Sequence, residues 1–378
     1  MIVFVSNFLN HHQTGICGEL FTLSGGEFTF IATEPIPKER TDMGYKDMNK
    51  EYPFVLRAYE SKTEYKKSLL LCAKADIAII GSASDDYIKV RDNKKITFKY
   101  SERPYKNTGL IKSFLSEARH HYRFLNKNIY LLCASAYTAY DHAKFGMYKG
   151  RTYKWGYFPE TAFMPYDKLK LIKNKNKKIK ILWASRFIKL KHPEDVINLA
   201  IRLKKQNISF ELEMLGIGEL RGEYEKIVND AGLNDVIIFT GPFSPEEVLK
   251  HMRFADIFLF TSDKNEGWGA VLNESMSASC AVVANKEIGS VSYLIKNGEN
   301  GLMYNRKNKD SLYDCVHRLI HDESFRDKLG KNAYDTINEV WNAKIAAKRL
   351  LSLASALGNG KDTPFADGPC SRAGVIKG

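Results

Sequence analysis

The sequence predicts an α/β protein built as two doubly wound, parallel-sheet (Rossmann-like) domains facing each other across a cleft. Three observations carry that expectation. Apolar runs of strand length alternate with longer helical patterns along the whole chain, as repeated strand–helix units do. Runs such as Met1-Ile2-Val3-Phe4-Val5 and Ile257-Phe258-Leu259-Phe260 are apolar at successive positions, the habit of buried parallel strands. Finally, 378 residues are too many for one ordinary core, so two domains are expected.

The first half reads as strands near Ile2–Val5, Phe28–Ile31, Phe54–Leu56, Ile77–Ile80, Ile96–Tyr100 and Ile129–Cys133, with helices between them at Thr63–Ala73 and Thr108–Leu125. The second half gives strands near Ile179–Ala184, Glu211–Leu215, Val236–Thr240, Ile257–Phe260, Ala281–Ala284 and Gly301–Tyr304. Its helices open near Pro193, Glu219, Pro245, Gly269 and Lys309. Ser244-Pro245-Glu246-Glu247 is the clearest start: a capping serine, a proline in the first turn and acids against the helix dipole. The resulting division is a first domain over residues 1–160, a basic linker over 161–180, a second domain over 181–357 and a flexible tail over 358–378.

Charge is distributed unevenly. Of the net +13, residues 1–165 carry +7 and residues 166–180 carry +6, while residues 181–378 balance at zero. A basic first half fits nucleic acid, an anionic membrane surface or an anionic acceptor, or it serves solubility alone. No helix-turn-helix, zinc or RNA-binding sheet motif accompanies it, so nucleic acid is not expected as a partner. No run of 18 apolar residues occurs, and the amino terminus opens as a strand with no basic leader. Six scattered cysteines without a C-x-x-C pair read as free, buried thiols in a reducing compartment, hence a cytoplasmic protein.

The most informative stretch is Asn265-Glu266-Gly267-Trp268-Gly269-Ala270-Val271-Leu272-Asn273-Glu274. It follows a buried strand, breaks on glycine and enters a helix, which sets backbone N–H groups and the positive end of the helix toward one spot. Carboxylates would repel a phosphate there, so Glu266 and Glu274 are expected to address neutral hydroxyls, those of a sugar and of a ribose. Arg186 and Lys191 follow another strand and are placed to grip a diphosphate. Gly216 and Gly218 end a third strand, and Gly241 and Phe243 follow a fourth, in reach of a base. No metal site is expected: no DxD-type motif stands out, and the adjacent Asp85-Asp86 reads as a helix cap.

These motifs resemble the retaining glycosyltransferases of family 4, which have the GT-B fold. The likeness rests on Ser185-Arg186 with Lys191, Leu215-Gly216-Ile217-Gly218, Phe239-Thr240-Gly241, Ala255-Asp256, Glu266-Gly267-Trp268-Gly269 with Glu274, and Asn297-Gly298-Glu299-Asn300-Gly301-Leu302. It covers most of residues 179–340 and is weak over 1–165. The resemblance implies that Glu266 contacts the transferred sugar, Glu274 the nucleotide ribose, and Arg186 and Lys191 the diphosphate. N–H groups from Trp268 to Ala270, with Gly267 and Val271 beside them, complete the donor site. It also implies a UDP- or GDP-sugar donor, retention of configuration without a metal or other cofactor, and a glycan or lipid-linked acceptor in surface polysaccharide or glycolipid synthesis. His192 departs from the glycine many relatives place after the lysine. The alternatives are a sugar-nucleotide epimerase of the same fold and a non-enzymatic nucleic-acid-binding protein.

By the same resemblance the first half carries the acceptor. Relatives often have a histidine after a mid-domain strand. Here Glu102 and Arg103 follow that strand instead, and are candidates to contact acceptor or diphosphate, or else form an exposed ion pair. His11 and His12, after the first strand, are further acceptor-side candidates. The basic, apolar-studded segment Thr108–Lys127 fits either docking on an anionic membrane or an ordinary solvated helix face.

Overall fold

The protein, described by a computed structural model over residues 1–38, 46–104, 110–125, 127–161 and 163–377, divides into two compact units. The first comprises Met1–Glu160 with Val340–Gly378, the second Thr161–Glu339.

The first unit is built on strands β1 (Ile2–Ser6), β2 (Phe28–Ala32), β3 (Val55–Arg57), β4 (Ile77–Ile80), β5 (Ile96–Ser101), β6 (Ile129–Cys133) and β7 (Thr152–Lys154). They form one sheet in the order β3-β2-β1-β4-β5-β6-β7, all neighbours parallel. Ile2 lies opposite both Phe28 and Ile77. Val3, Val5, Ile31, Ala78, Ile80, Leu131 and Cys133 feed one core. Their alternating neighbours Phe4, Phe30, Ile79 and Leu132 are equally buried. Burial on both faces explains why these strands read as unbroken apolar runs.

The second unit holds β8 (Ile179–Ala184), β9 (Phe210–Leu215), β10 (Ile237–Thr240), β11 (Ile257–Phe260), β12 (Ala281–Asn285) and β13 (Leu302–Tyr304). The order β10-β9-β8-β11-β12-β13, again parallel, is the doubly wound Rossmann order. Ile181, Trp183, Leu212, Met214, Ile257, Leu259 and Val283 form its core with Val196, Leu199, Val316 and Leu319 from the helices.

Three expectations about boundaries are corrected. The segment 161–180 is not a free linker: it contains the helix Tyr166–Lys173 with Leu169 buried. Lys173 and Asn176 give their N–H groups to the carbonyls of Ala255 and Phe254, and Asn176 also bonds Asp256 (3.1 Å). Of its other lysines, Lys168, Lys170, Lys175, Lys177 and Lys178 are exposed and Lys180 is half-buried. The second body ends at residue 339, not 357. The helix Ala343–Gly358 buries Ala346, Ala347, Leu350, Leu353, Ala354 and Leu357 and packs on the helix His11–Leu23 of the first unit. Nor is the segment after 358 loose. Cys370 N–H donates to Lys154 O, Lys154 N–H to Ser371 O (2.8 Å each), and Ala373 N–H to Thr152 O (3.1 Å). Tyr153 and Arg372 pair antiparallel. The tail thereby covers the edge of β7, which would otherwise present unpaired backbone groups.

Asp85 does not cap a helix through its side chain. Its carboxylate takes His120 (2.7 Å) and Arg123 (3.3 Å). The helix expected at Thr108–Leu125 is Leu110–Arg123. Thr108 and Gly109, with the side chains of Leu110, Ile111, Lys112 and Phe114, lie outside the described residues.

Candidate active site

The winding of the second sheet reverses between β8 and β11, the place where the loops leaving two adjacent strands diverge and open α/β sheets take ligands. From β8 the chain runs past the exposed Arg186, forms a tight turn at Lys189–Lys191, and enters the helix Pro193–Lys205 through His192. From β11 it continues through buried Thr261 and Ser262. The Thr261 hydroxyl donates to Lys191 O (2.6 Å) and accepts from Trp183 Nε1 (2.8 Å), while Asp263 N–H donates to Leu190 O (3.0 Å). These bonds clamp the two loops together. As a result the Lys191 ammonium meets Glu266 Oε2, with both side chains largely buried. Lys191, expected to grip a diphosphate, and Glu266, expected to contact a sugar, form one ion pair. Burying such a pair costs desolvation that its mutual attraction need not repay, so apolar residues of similar volume would be as stable or more so.

His192 adopts a left-handed backbone (φ 51°), the conformation for which glycine is favoured. Its imidazole bridges Glu194 (2.7 Å) and Asp263 (3.1 Å). Burial pulls its pKa down, but the two carboxylate hydrogen bonds outweigh that and the net shift is upward. The histidine thus ties the loop after β11 to the start of the helix after β8.

Glu274 lies in the first turn of the helix Val271–Ser277 and is half-buried. Its side chain has no hydrogen-bond or ion-pair partner among the described residues, and burial raises its pKa to about 7. Upstream, Gly269 has φ +77°, and a Cβ there would fall 2.2 Å from Phe260 Cζ at the end of β11. Only glycine lets this loop lie so close over the strand. The N–H groups of Gly269 and Ala270 donate to no protein carbonyl among the described residues, and Val271 beside them is half-buried. Trp268 is different: its ring is fully buried and its Nε1 donates to Asn273 Oδ1 (2.7 Å). It anchors the loop.

Gly216 and Gly218 also serve the scaffold. Ser185 N–H donates to Leu215 O (2.9 Å) and Phe187 N–H to Ile217 O (2.8 Å), continuing the β8–β9 ladder on either side of Arg186. A Cβ on Gly216 would lie 1.9 Å from Ser185 O. Arg221 then laces the loops after β9 and β10 by donating to the carbonyls of Gly216 (2.7 Å), Gly241 (3.1 Å) and Thr240 (3.2 Å). Phe243, partly exposed, stacks on His251 at 4.8 Å.

In the first unit the candidates divide. Arg103 makes a two-point contact with Asp141 (2.9 and 3.1 Å) and lies over the Tyr137 ring, so its guanidinium holds the scaffold. Glu102 instead accepts from the Tyr157 hydroxyl, and Tyr157 stacks on His12 at 4.0 Å. His11 sits edge-on to His12 in the same helical turn. Glu102, after β5, and Tyr157, after β7, both lie at the carboxyl edge of the sheet. Tyr157 was not anticipated, although the run Trp155-Gly156-Tyr157-Phe158-Pro159 is an aromatic signal that could have found it. Thr261 and Arg221 carry no such signal, since their partners lie in distant segments.

Residues 167–336 match the family model described as glycosyl transferases group 1. The D-inositol 3-phosphate glycosyltransferase of Paenarthrobacter aurescens (strain TC1) is 29% identical over 157 residues, which cover 40% of this chain and 38% of that protein. The chain spans under half the length of the curated relatives it matches. Among solved structures, Anabaena Alr3699/HepE in complex with UDP superposes with a TM-score of 0.70 at 12% identity, covering 94% of this chain and 99% of that one. Sucrose-phosphate synthase from Thermosynechococcus elongatus gives 0.66 at 16% identity, covering 95% and 99%. At these identities the likeness establishes the architecture, which is GT-B.

Proposed function

We propose that this chain is a retaining glycosyltransferase moving a sugar from a nucleoside diphosphate to a hydroxyl of a glycan or lipid-linked acceptor. The observation that carries it is the buried Lys191–Glu266 pair at the switch point of a sheet lying within the group 1 match, with unpartnered Glu274 on the helix beyond. In this reading Glu274 accepts from the ribose hydroxyls and Glu266 from those of the transferred sugar. Phe243 and the turn at Gly241 border the base. A UDP-sugar is the favoured donor, because the Anabaena neighbour was crystallised with UDP.

Breaking the anomeric C–O bond sends its electron pair to the β-phosphate oxygen. The acceptor oxygen bonds to the same carbon, and its proton passes to the departing phosphate. Arg186, Lys191 and the N–H groups of Gly269 and Ala270 stabilise the charge that develops there, so the reaction as proposed calls on no metal or further cofactor. On the first unit Glu102, Tyr157 and His12 receive the acceptor, with His11 beside them. The mostly buried thiols suit a cytoplasmic setting, and surface glycan or glycolipid synthesis is the proposed pathway class. No helix among the described residues is long and apolar enough to cross a membrane.

The test is a thermal-shift panel of UDP- and GDP-sugars followed by a transfer assay with the stabilising donor, since a ligand binding only the folded state raises the melting temperature by mass action. One sugar nucleotide should stabilise the protein, and Arg186→Ala should abolish that shift. No shift with any donor, or an unchanged shift in Arg186→Ala, contradicts the proposal. Release of an altered sugar with no acceptor present would favour an epimerase.

A further inference from the structure

The first unit contains a second basic feature, at the opposite edge of its sheet. A cavity of about 210 Å³ opens where the helix Leu110–Arg123 ends, lined by His121, Lys127, Lys149 and Arg151 with Phe124 and Tyr148. Ile129, the first residue of β6, also lines it, and Arg151 immediately precedes β7. Those positions put it at the amino edge of the strands, whereas Glu102 and Tyr157 follow the carboxyl ends. It is therefore separate from the candidate acceptor cluster.

Its charge is unbalanced. No acid among the described residues lines it, and the chain has none between Asp141 and Glu160 while carrying Lys144, Lys149, Arg151 and Lys154. The nearby carboxylate of Asp85 is occupied by His120 and Arg123. Lys127 donates to the carbonyls of Arg91 and Lys89. Helix-end carbonyls account for positive charge at residues 120–123, but Lys149 and Arg151 come from another segment. Neither has a carboxylate partner among the described residues. The segment that carries them turns sharply, with Gly146, Tyr148 and Gly150 all left-handed (φ 71°, 51° and 68°). Tyr148, a bulky residue rarely found in that conformation, is buried against His121 at 4.8 Å and forms the cavity wall. Apolar surface adjoins the charge: Tyr122 and Leu125 are 57% and 51% exposed.

We propose that this cavity is a phosphate-binding site, taking the phosphate of a lipid headgroup or of a free phosphate ester. The cations supply charge-assisted hydrogen bonds. The volume, below the roughly 300–1,000 Å³ of drug-sized ligand pockets, suits a headgroup or a small phosphate ester. The exposed Tyr122 and Leu125 give an esterified chain apolar surface to lie on.

The experiment uses the full chain in two arms. Calorimetric titration with glycerol 3-phosphate reads a free ester. Flotation with phosphatidylcholine vesicles, with and without phosphatidylglycerol, reads a headgroup. The double variant Lys149→Ala/Arg151→Ala changes two exposed side chains, and its melting temperature reports folding. Binding in either arm should fall by about tenfold or more in that variant, the size expected for lost charge-assisted hydrogen bonds. Lys175→Glu/Lys177→Glu, on the other unit, should leave binding within about twofold, as for a site that does not depend on net charge. Binding of the ester with the same loss in the variant identifies a free-phosphate site, and binding of anionic vesicles alone a headgroup site. Binding in neither arm, or equal losses in the two double variants, overturns the proposal.

Discussion

Replacing Glu274 by glutamine should make the unliganded protein more stable, and increasingly so as pH rises. The side chain is half-buried without a partner, and burial raises its carboxyl from the ordinary 4.5 to about 7. Below pH 4.5 the group is protonated in both folded and unfolded chains and costs nothing. Between 4.5 and 7 the unfolded chain ionises first, so stability falls as pH rises, and above 7 the whole penalty is present. A displacement of about two and a half pH units at 1.36 kcal/mol per unit gives about 2–3 kcal/mol once solvent exposure is allowed for. Glutamine keeps the shape and removes the titration. In a unit of this size 1 kcal/mol moves the melting temperature by about 2–4 °C. Glu274→Gln should therefore melt about 4–10 °C higher at pH 8 and within about 1 °C of the parent at pH 4.5. Calorimetric scans across that range give the answer. A difference independent of pH, or a less stable variant at pH 8, would mean that the carboxylate has a partner or is freely hydrated. The same variant should lose donor affinity at pH 8, which separates a binding role from a structural one.

Three further outcomes are expected. His142 is fully buried, neither ring nitrogen has a hydrogen-bond partner among the described residues, and burial pushes its pKa down to about 3. The unfolded chain takes up that proton near pH 6.5, so the stability it protects is lost as pH falls from 6.5 toward 3. His142→Phe should abolish this component of acid unfolding, followed by circular dichroism from pH 7 to 3. Gly269→Ala forces a side chain onto Phe260 in a left-handed backbone and should cost about 2–4 kcal/mol in urea unfolding with loss of donor binding. Truncation after Gly368 removes the segment hydrogen-bonded to β7. It should speed amide exchange at Lys154 by at least about tenfold, the effect of losing a backbone bond worth about 1–1.5 kcal/mol.

Much of the fold was legible because the sheets are parallel and covered on both faces. Twelve of the strands were expected, most of them as apolar runs, and their ends fall within a residue of those expected. What escaped depends on distant partners. β7 is only Thr152-Tyr153-Lys154, with no apolar run, and exists because Leu131–Cys133 lie on one side and the tail on the other. The tail's content of glycine, proline and serine reads as looseness until an open sheet edge is available to bind it. The helix Tyr166–Lys173 was hidden by its lysines, although Leu169 turns inward and Lys173 and Asn176 satisfy backbone carbonyls of the helix Pro245–Phe254.

The site divides along the same line. The kinds of residue were readable, because glycine before a helix and cations after strands have local physical reasons. Their relations were not. Lys191 and Glu266 are 75 positions apart and meet only because β8 and β11 are neighbours and Thr261 and Asp263 fasten the two loops. Residues 267–269 show how one motif mixes roles. Gly269 makes room above Phe260, Trp268 is driven into the core, and the N–H groups of Gly269 and Ala270 are left without protein carbonyls. Burying an ion pair and a lone carboxylate beside unpaired N–H groups gains the isolated fold nothing: a hydrophobic filling would be as stable or more so. Under the proposed function the arrangement becomes favourable when a donor brings hydroxyls to the acids and negative charge to Lys191 and the N–H groups. The stability these groups withhold from the unliganded fold and the affinity they give the donor are then the same interactions. A substitution at Glu274 that raises the first must lower the second.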